Sequence, residues 1–321
     1  MPRKKTAVFL AEEYEELYDR ALTEADGEAE YKKAVLDKGV RVYRARQTYA
    51  GRQLDVQLSA VWNARAEATS AKKARKAQSR ETIERRNDKN TQRRIEGLLN
   101  ENFGAGDVAM YLTMGKKETD VRAALKWFIR ECRKRFKREG RGEFRYLYIV
   151  ETVDREGEPL RAHVHIFLPE GPGRDAYEDL WRSRYGIANG TRLEPDENGL
   201  AGFAKYVMKE KRTETRTRRW ACSRNLREPE IRRSTRIGKG KKLTKRFIYD
   251  LVTGRRDIKA ELESAYPGYR LVSWECAESE YVSGVYLNIR LTRFCVSECE
   301  RRGRGAAGAG TENARTHART Y

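Results

Sequence analysis

The sequence predicts an α+β chain, and three stretches predict it. Arg145–Thr152 and Arg161–Leu168 are apolar, strand-like runs separated by the turn signal Asp154-Arg-Glu-Gly157. Two strands joined by so short a turn form an antiparallel hairpin. Residues 118–137 place Val121, Leu125, Phe128, Ile129, Cys132 and Phe136 on one side at helical spacing. Val285, Leu287, Ile289 and Leu291 alternate with Tyr286, Asn288 and Arg290, the period of a half-buried strand.

Charge bounds the partners. The 321 residues carry 68 Lys plus Arg against 48 Asp plus Glu, a net charge of +20. The basic residues run along most of the chain, which favours a polyanion, nucleic acid before anionic membrane. No apolar run reaches the length of a bilayer span, and the N-terminal stretch is too short for a signal-peptide core. A cytoplasmic protein is expected. Five scattered cysteines do not read as a disulfide framework, and Cys295-x-x-x-Cys299 lacks partners for a zinc site.

Residues 1–100 read as a mostly helical, basic region. Leu10, Tyr14, Leu17, Tyr18 and Leu22 give an early helical stripe. Lys72 to Arg94 is strongly basic with almost no apolar interruption, either a solvated helix or an arm that meets phosphates. At Asp107 the texture changes, and Ala109-Met-Tyr-Leu-Thr113 is a compact strand candidate. The 118–137 helix ends at Gly140-Arg-Gly142. After the hairpin, residues 175–184 form a short helix and 190–194 a further strand. Leu200–Glu210 then reads as a helix.

Two features carry chemistry. The chain has three histidines, and His163 and His165 sit two apart in the strand Arg161-Ala-His-Val-His-Ile-Phe-Leu168. Period-two alternation puts both imidazoles on one face. Neutral imidazole is the commonest metal ligand, so the pair is half of a divalent-metal site. In the preceding strand Leu147, Ile149 and Glu151 share a face, with Glu151 at its end. A salt bridge would explain this carboxylate; so would a third ligand, and carboxylate beside imidazole suits Mg or Mn. The second feature is Tyr206 with Lys209, three apart on one helix, where a cation beside a phenol favours its ionised form.

In order, the chain has a Thr-ended strand (Tyr111-Leu112-Thr113), a His-hydrophobe-His strand (His163-Val164-His165) and a Tyr-x-x-Lys helix (Tyr206 to Lys209). This set resembles the three motifs of rolling-circle replication initiators of the HUH endonuclease superfamily. Arg219-Trp220-Ala-Cys-Ser-Arg-Asn-Leu226 resembles a segment that follows the tyrosine helix in many phage and plasmid members. The resemblance covers roughly residues 87–228. With one tyrosine in 200–210, the chain is similar to the single-tyrosine type. Relaxases usually place the tyrosine before the histidines, the reverse of the order here.

The resemblance implies a central antiparallel sheet flanked by helices, in an endonuclease domain over 101–230. It implies that a metal held by His163, His165 and Glu151 polarises a phosphodiester of single-stranded origin DNA. Tyr206 would keep the 5′ side as a phosphotyrosine and release a 3′ hydroxyl that primes a host polymerase. Lys209 would offset phosphate charge. No Gly-x-x-x-x-Gly-Lys-Ser/Thr loop is present, so a host helicase is expected to unwind the template. Residues 231–300 read as a basic segment, with Arg232, Arg233, Arg236, Lys239, Lys241 and Lys242, followed by a small α/β region, and 301–321 as a disordered tail. Two further readings are a related HUH transposase or relaxase, and a non-catalytic nucleic-acid binder. The binder leaves the histidine pair unexplained.

Overall fold

The computed structural model describes residues 11–115, 120–153, 159–207, 220–238 and 240–294. Lys209, Cys295, Cys299, His317 and the 301–321 segment lie outside these.

A kinked 3-10 segment (Ala11–Leu17) and the short β1 (Arg20–Ala21) open the described chain, and a second 3-10 turn (Glu24–Asp26) leads into α1 (Gly27–Val35). A long hairpin follows, β2 (Val40–Ala50) and β3 (Gln53–Trp62), then α2 (Ala64–Ala77) and α3 (Arg80–Asn102). Next come β4 (Val108–Thr113), α4 (Val121–Arg138), β5 (Leu147–Val153), β6 (Pro159–Leu168), α5 (Arg174–Arg182), β7 (Ala188–Arg192) and α6 (Ala201–Val207). The described chain closes with β8 (Trp220–Cys222), β9 (Glu230–Ser234), β10 (Arg236–Ile237), β11 (Lys241–Lys242), α7 (Lys245–Val252), α8 (Ile258–Ala265), β12 (Tyr269–Glu278) and β13 (Val285–Arg293).

The class is α+β, with antiparallel sheets flanked by helices, but there are two large sheets where one central sheet was expected. One is β7-β4-β6-β5-β8; the other is β1-β12-β13-β3-β2-β9. The second sheet draws its strands from both sides of the middle stretch. Residues 40–62, read within a mostly helical region, are two long strands. The strands of the 231–300 region pair directly with them, Leu287 opposite Leu58 and Ile289 opposite Val56. The N-terminal and C-terminal stretches therefore complete one sheet around the middle of the chain.

The six-stranded sheet has unlike faces. Leu54, Val56, Leu58 and Ala60 of β3 point outward with Tyr43, Ala45, Leu287, Ile289 and Leu291, and are buried with Tyr31, Val35, Ile248, Leu251 and Leu262 of α1, α7 and α8. The other face is polar and charged. Asp55 and Arg290 are cross-strand partners there. Arg290 Nε donates to Asp55 Oδ1 at 3.0 Å, and Arg290 also pairs with Glu96 of α3. Arg93 of α3 pairs with Glu15, which accepts from the Tyr286 hydroxyl at 2.8 Å.

α3 thus lies between the sheets. Its charged residues meet the polar face, whereas Ile95, Leu98 and Leu99 pack on Leu147, Ile149 and Phe167 of the five-stranded sheet. Each of the three is at most 1% exposed, so each burial contributes on the order of 1.5–3 kcal/mol. The outer face of that sheet carries Met110, Leu112, Val164 and Ile166 under α4 and α5, through Leu125, Phe128, Cys132, Tyr177 and Trp181.

The basic run from Lys72 to Arg94 is two helices broken at Gln78 and Ser79, whose hydroxyl caps α3 by accepting from Thr82 N. The far half of the run is largely paired within the chain: Arg80 with Glu84, Arg86 with Glu16, Arg93 with Glu15 and Arg94 with Glu228.

Candidate metal centre

Register places the site. In β5 and β6, Leu147 pairs with Phe167, Ile149 with His165 and Glu151 with His163. In β4 and β6, Ala109 pairs with Phe167, Tyr111 with His165 and Thr113 with His163. Cross-strand partners share a face, so all of these lie on the side of the sheet that faces α3. One end of this face, around Phe167, is covered: α3 packs on it, and the Phe203 ring of α6 lies edge-on to Phe167 at 5.9 Å. The other end carries Glu151, His163, His165, Tyr111 and Thr113.

There the three expected ligands meet. Glu151 Oε2 is 2.7 Å from His163 Nε2 and 3.1 Å from His165 Nε2. One donor atom from each residue lies within 4.8 Å of the others. Among the described residues this is the one cluster of its kind.

His163 Nδ1 lies 3.1 Å from the Arg161 carbonyl oxygen. A carbonyl only accepts, so Nδ1 carries the proton and, in a neutral ring, Nε2 presents its lone pair. That lone pair then faces a carboxylate oxygen at 2.7 Å. Two acceptors at this distance require a cation between or beside them, either a second proton on the ring or a metal. A backbone carbonyl holding the far nitrogen is also the usual outer support of a metal-bound histidine. The donor set fits a divalent metal.

Electrostatics agree. Burial pushes the Glu151 carboxyl up, but hydrogen bonding and charge from His163 and His165 outweigh it and hold the group at about 2. The carboxylate is therefore ionised through the neutral range while only 4% exposed.

The Tyr111 ring lies 5.0 Å from the His163 ring and 5.1 Å from the His165 ring. It packs beside both imidazoles while still 36% exposed. The sequence pointed to Tyr111 only as part of a strand; its position two residues before Thr113 on the histidine face was the available signal. Trp220 pairs with Ile149 on the same face, and the Arg94 guanidinium lies 5.8 Å from its ring centroid.

Tyr206 lies in the last turn of α6, three residues beyond Phe203. Its backbone is described; Lys209 is outside the described residues. The helix is fixed at its start by Asn100, whose Oδ1 accepts from Leu200 N at 2.8 Å. The structure therefore brings Glu151, His163 and His165 together, and sets the tyrosine helix over the covered end of the same face. Cys132 and Cys276 are buried away from the site, and burial pushes both thiols up.

No protein-family model, curated protein or solved structure gives a significant match to this chain.

Proposed function

We propose that the chain is a single-tyrosine, HUH-type endonuclease that nicks and rejoins single-stranded DNA at an origin, starting rolling-circle replication of a phage or plasmid. One observation carries the reading. Glu151, His163 and His165 converge at one end of a sheet face whose other end is covered by the helix of Tyr206.

The metal proposed is Mg or Mn, held by Glu151, His163 and His165, because a carboxylate hardens an imidazole pair. When bound it supplies Lewis-acid polarisation of the scissile phosphodiester. The Tyr206 hydroxyl loses its proton and its oxygen bonds to phosphorus. The bond from phosphorus to the 3′ oxygen breaks, and that oxygen leaves as a hydroxyl after taking a proton. The 5′ side stays on Tyr206 as a phosphodiester, so rejoining needs no external energy source. Lys209, three residues further along the sequence, would offset phosphate charge. The Arg161 carbonyl keeps His163 in the tautomer that ligates, and Tyr111 limits the swing of both imidazoles. The free 3′ hydroxyl would serve a host polymerase, with a host helicase, in the host cytoplasm.

Cleavage of circular single-stranded DNA containing candidate origin sequences tests this. Wild-type protein with Mn should linearise the circles, and EDTA or Glu151→Ala should stop it. Linearisation that survives both treatments would remove the cluster from the chemistry.

A further inference from the structure

α2 carries a cationic face that the nicking chemistry does not use. Arg65, Lys72, Lys73, Arg75 and Lys76 are all exposed. At about 100° per residue, Arg65, Lys72 and Lys76 fall within about 40° of one line, with Lys73 and Arg75 beside it. The opposite side of the helix is packed, with Ser70 4% and Ala74 0% exposed. From Arg65 to Lys76 the line is about 16 Å long at about 1.5 Å per residue. Unlike four of the six cations of α3, these five make no ion pair with a carboxylate among the described residues.

The line runs into a cavity of about 300 Å³ beside the first turns of α2. Lys38, Arg65 and Lys73 line it together with Thr69, Ser70 and Tyr281, and no carboxylate does. Three cations around one cavity repel each other unless an anion enters. Ser70 is buried yet lines this cavity, adding a hydroxyl donor in its wall. The donor set suits an anion such as a phosphate group.

We propose that this face of α2 is a docking surface for duplex DNA, gripping the phosphates of one strand, with the Lys38–Arg65–Lys73 cavity taking one of them. Successive phosphates of one strand rise about 3.4 Å along the duplex axis and also wind around it, so a straight line of about 16 Å meets only a few of them. Tyr281, 41% exposed, is the sole aromatic side chain lining the cavity, and α2 itself has none. A row of stacking rings, as single strands use, is therefore missing from this surface. α2 packs on β3 of the six-stranded sheet, whereas the metal cluster lies on the other sheet beyond α3. The inference extends the DNA-processing reading: one surface holds the duplex while the other site cuts a single strand.

The test uses the full chain with Arg65, Lys72, Lys73 and Lys76 all changed to Ala. Fluorescence anisotropy would follow a short duplex and a single strand of the same length over a salt series. The expected result is a 10- to 1000-fold loss of duplex affinity at low salt. The slope of log affinity on log salt should fall by about 0.9 for each phosphate that the variant no longer grips. A variant with Lys72, Lys73 and Lys76 changed to Arg should bind the duplex like wild type, because it keeps the charge that grips phosphates. Unchanged duplex affinity and slope would overturn the proposal, and so would an equal loss for the single strand. Cleavage of a short single-stranded oligonucleotide should be the same in all three proteins. If none of them cleaves, the nicking reading fails while the duplex result still decides this one.

Discussion

Glu151 and His163 are cross-strand partners whose Oε2 and Nε2 approach to 2.7 Å, while the other ring nitrogen of His163 is held by the Arg161 carbonyl. Two acceptor atoms so placed call for a positive charge. A proton supplies it in acid and, in the proposed enzyme, a divalent metal supplies it in use.

Metal binding should follow from this arrangement. Adding Mn should raise the melting temperature of the wild type, with about 2.7 kcal/mol of stabilisation when metal reaches about 100 times its Kd. His163→Ala should abolish the shift in differential scanning calorimetry. Tyr111→Ala, which only frees the imidazoles to swing, should weaken metal binding by about 10-fold and leave the ligands in place.

Glu151 also ties stability to pH. Its folded-state value, about 2, lies below the ordinary 4.5. A depressed carboxyl contributes stability that is fully present above the unfolded value and is lost as pH falls through the folded one. In metal-free protein, wild type should therefore lose stability relative to Glu151→Gln between pH 4.5 and about 2. Urea midpoints taken across that range would show the difference shrink toward low pH. A difference that stays constant would mean that the carboxylate is not held by the histidines.

Arg290 joins the six-stranded sheet to α3. It pairs with Asp55 on the neighbouring strand and with the buried Glu96 of the helix, whose carboxyl is raised because burial outweighs the Arg290 charge. Arg290→Met would leave two carboxylates without their cation. A loss of about 3–5 kcal/mol in chemical denaturation is expected. Changing Glu96 to Gln in the same protein should recover part of it.

Gly51 couples the hairpin to the tyrosine helix. It turns β2 into β3 at φ +56°, and a β-carbon there would lie 2.1 Å from the Asn100 carbonyl oxygen. The Asn100 side chain in turn accepts from Leu200, at the start of α6. Gly51→Ala should cost on the order of 1–3 kcal/mol from the backbone conformation, with the steric clash added. It should also slow cleavage by moving α6, although Gly51 belongs to the other sheet. Unfolding curves and single-turnover cleavage rates check the two effects.

Much of the five-stranded sheet was legible in the sequence because its signals are local. The short connection between residues 153 and 159 favours an antiparallel β5 and β6, and the one-sided spacing of Leu125, Phe128 and Cys132 marks α4. Alternation also put Glu151 and the two histidines on particular faces. Alternation cannot supply cross-strand register, which sets Glu151 opposite His163 rather than two residues away. The six-stranded sheet was harder to see. Leu54, Val56, Leu58, Ala60 and Trp62 do alternate with Asp55, Gln57 and Ser59, a strand signal obscured by the charged, helix-rich residues around it. Its pairing with β13 joins residues more than two hundred positions apart, and no local pattern encodes that. The role of α3 was hidden for a related reason. Its buried apolar residues, Ile95, Leu98 and Leu99, are few and confined to one end, because the rest of the helix meets a charged sheet face rather than a core.

The most direct measurement is to trap the covalent protein–DNA product and map it by mass spectrometry. Wild-type protein with Mn and a cleavable single-stranded oligonucleotide would be denatured, digested and searched for the modified peptide. The expected product is one 5′-phosphonucleotide on Tyr206, absent in Tyr206→Phe and absent when EDTA is present. A nucleotide attached to any other residue, or cleavage with no covalent product, would contradict the proposed mechanism.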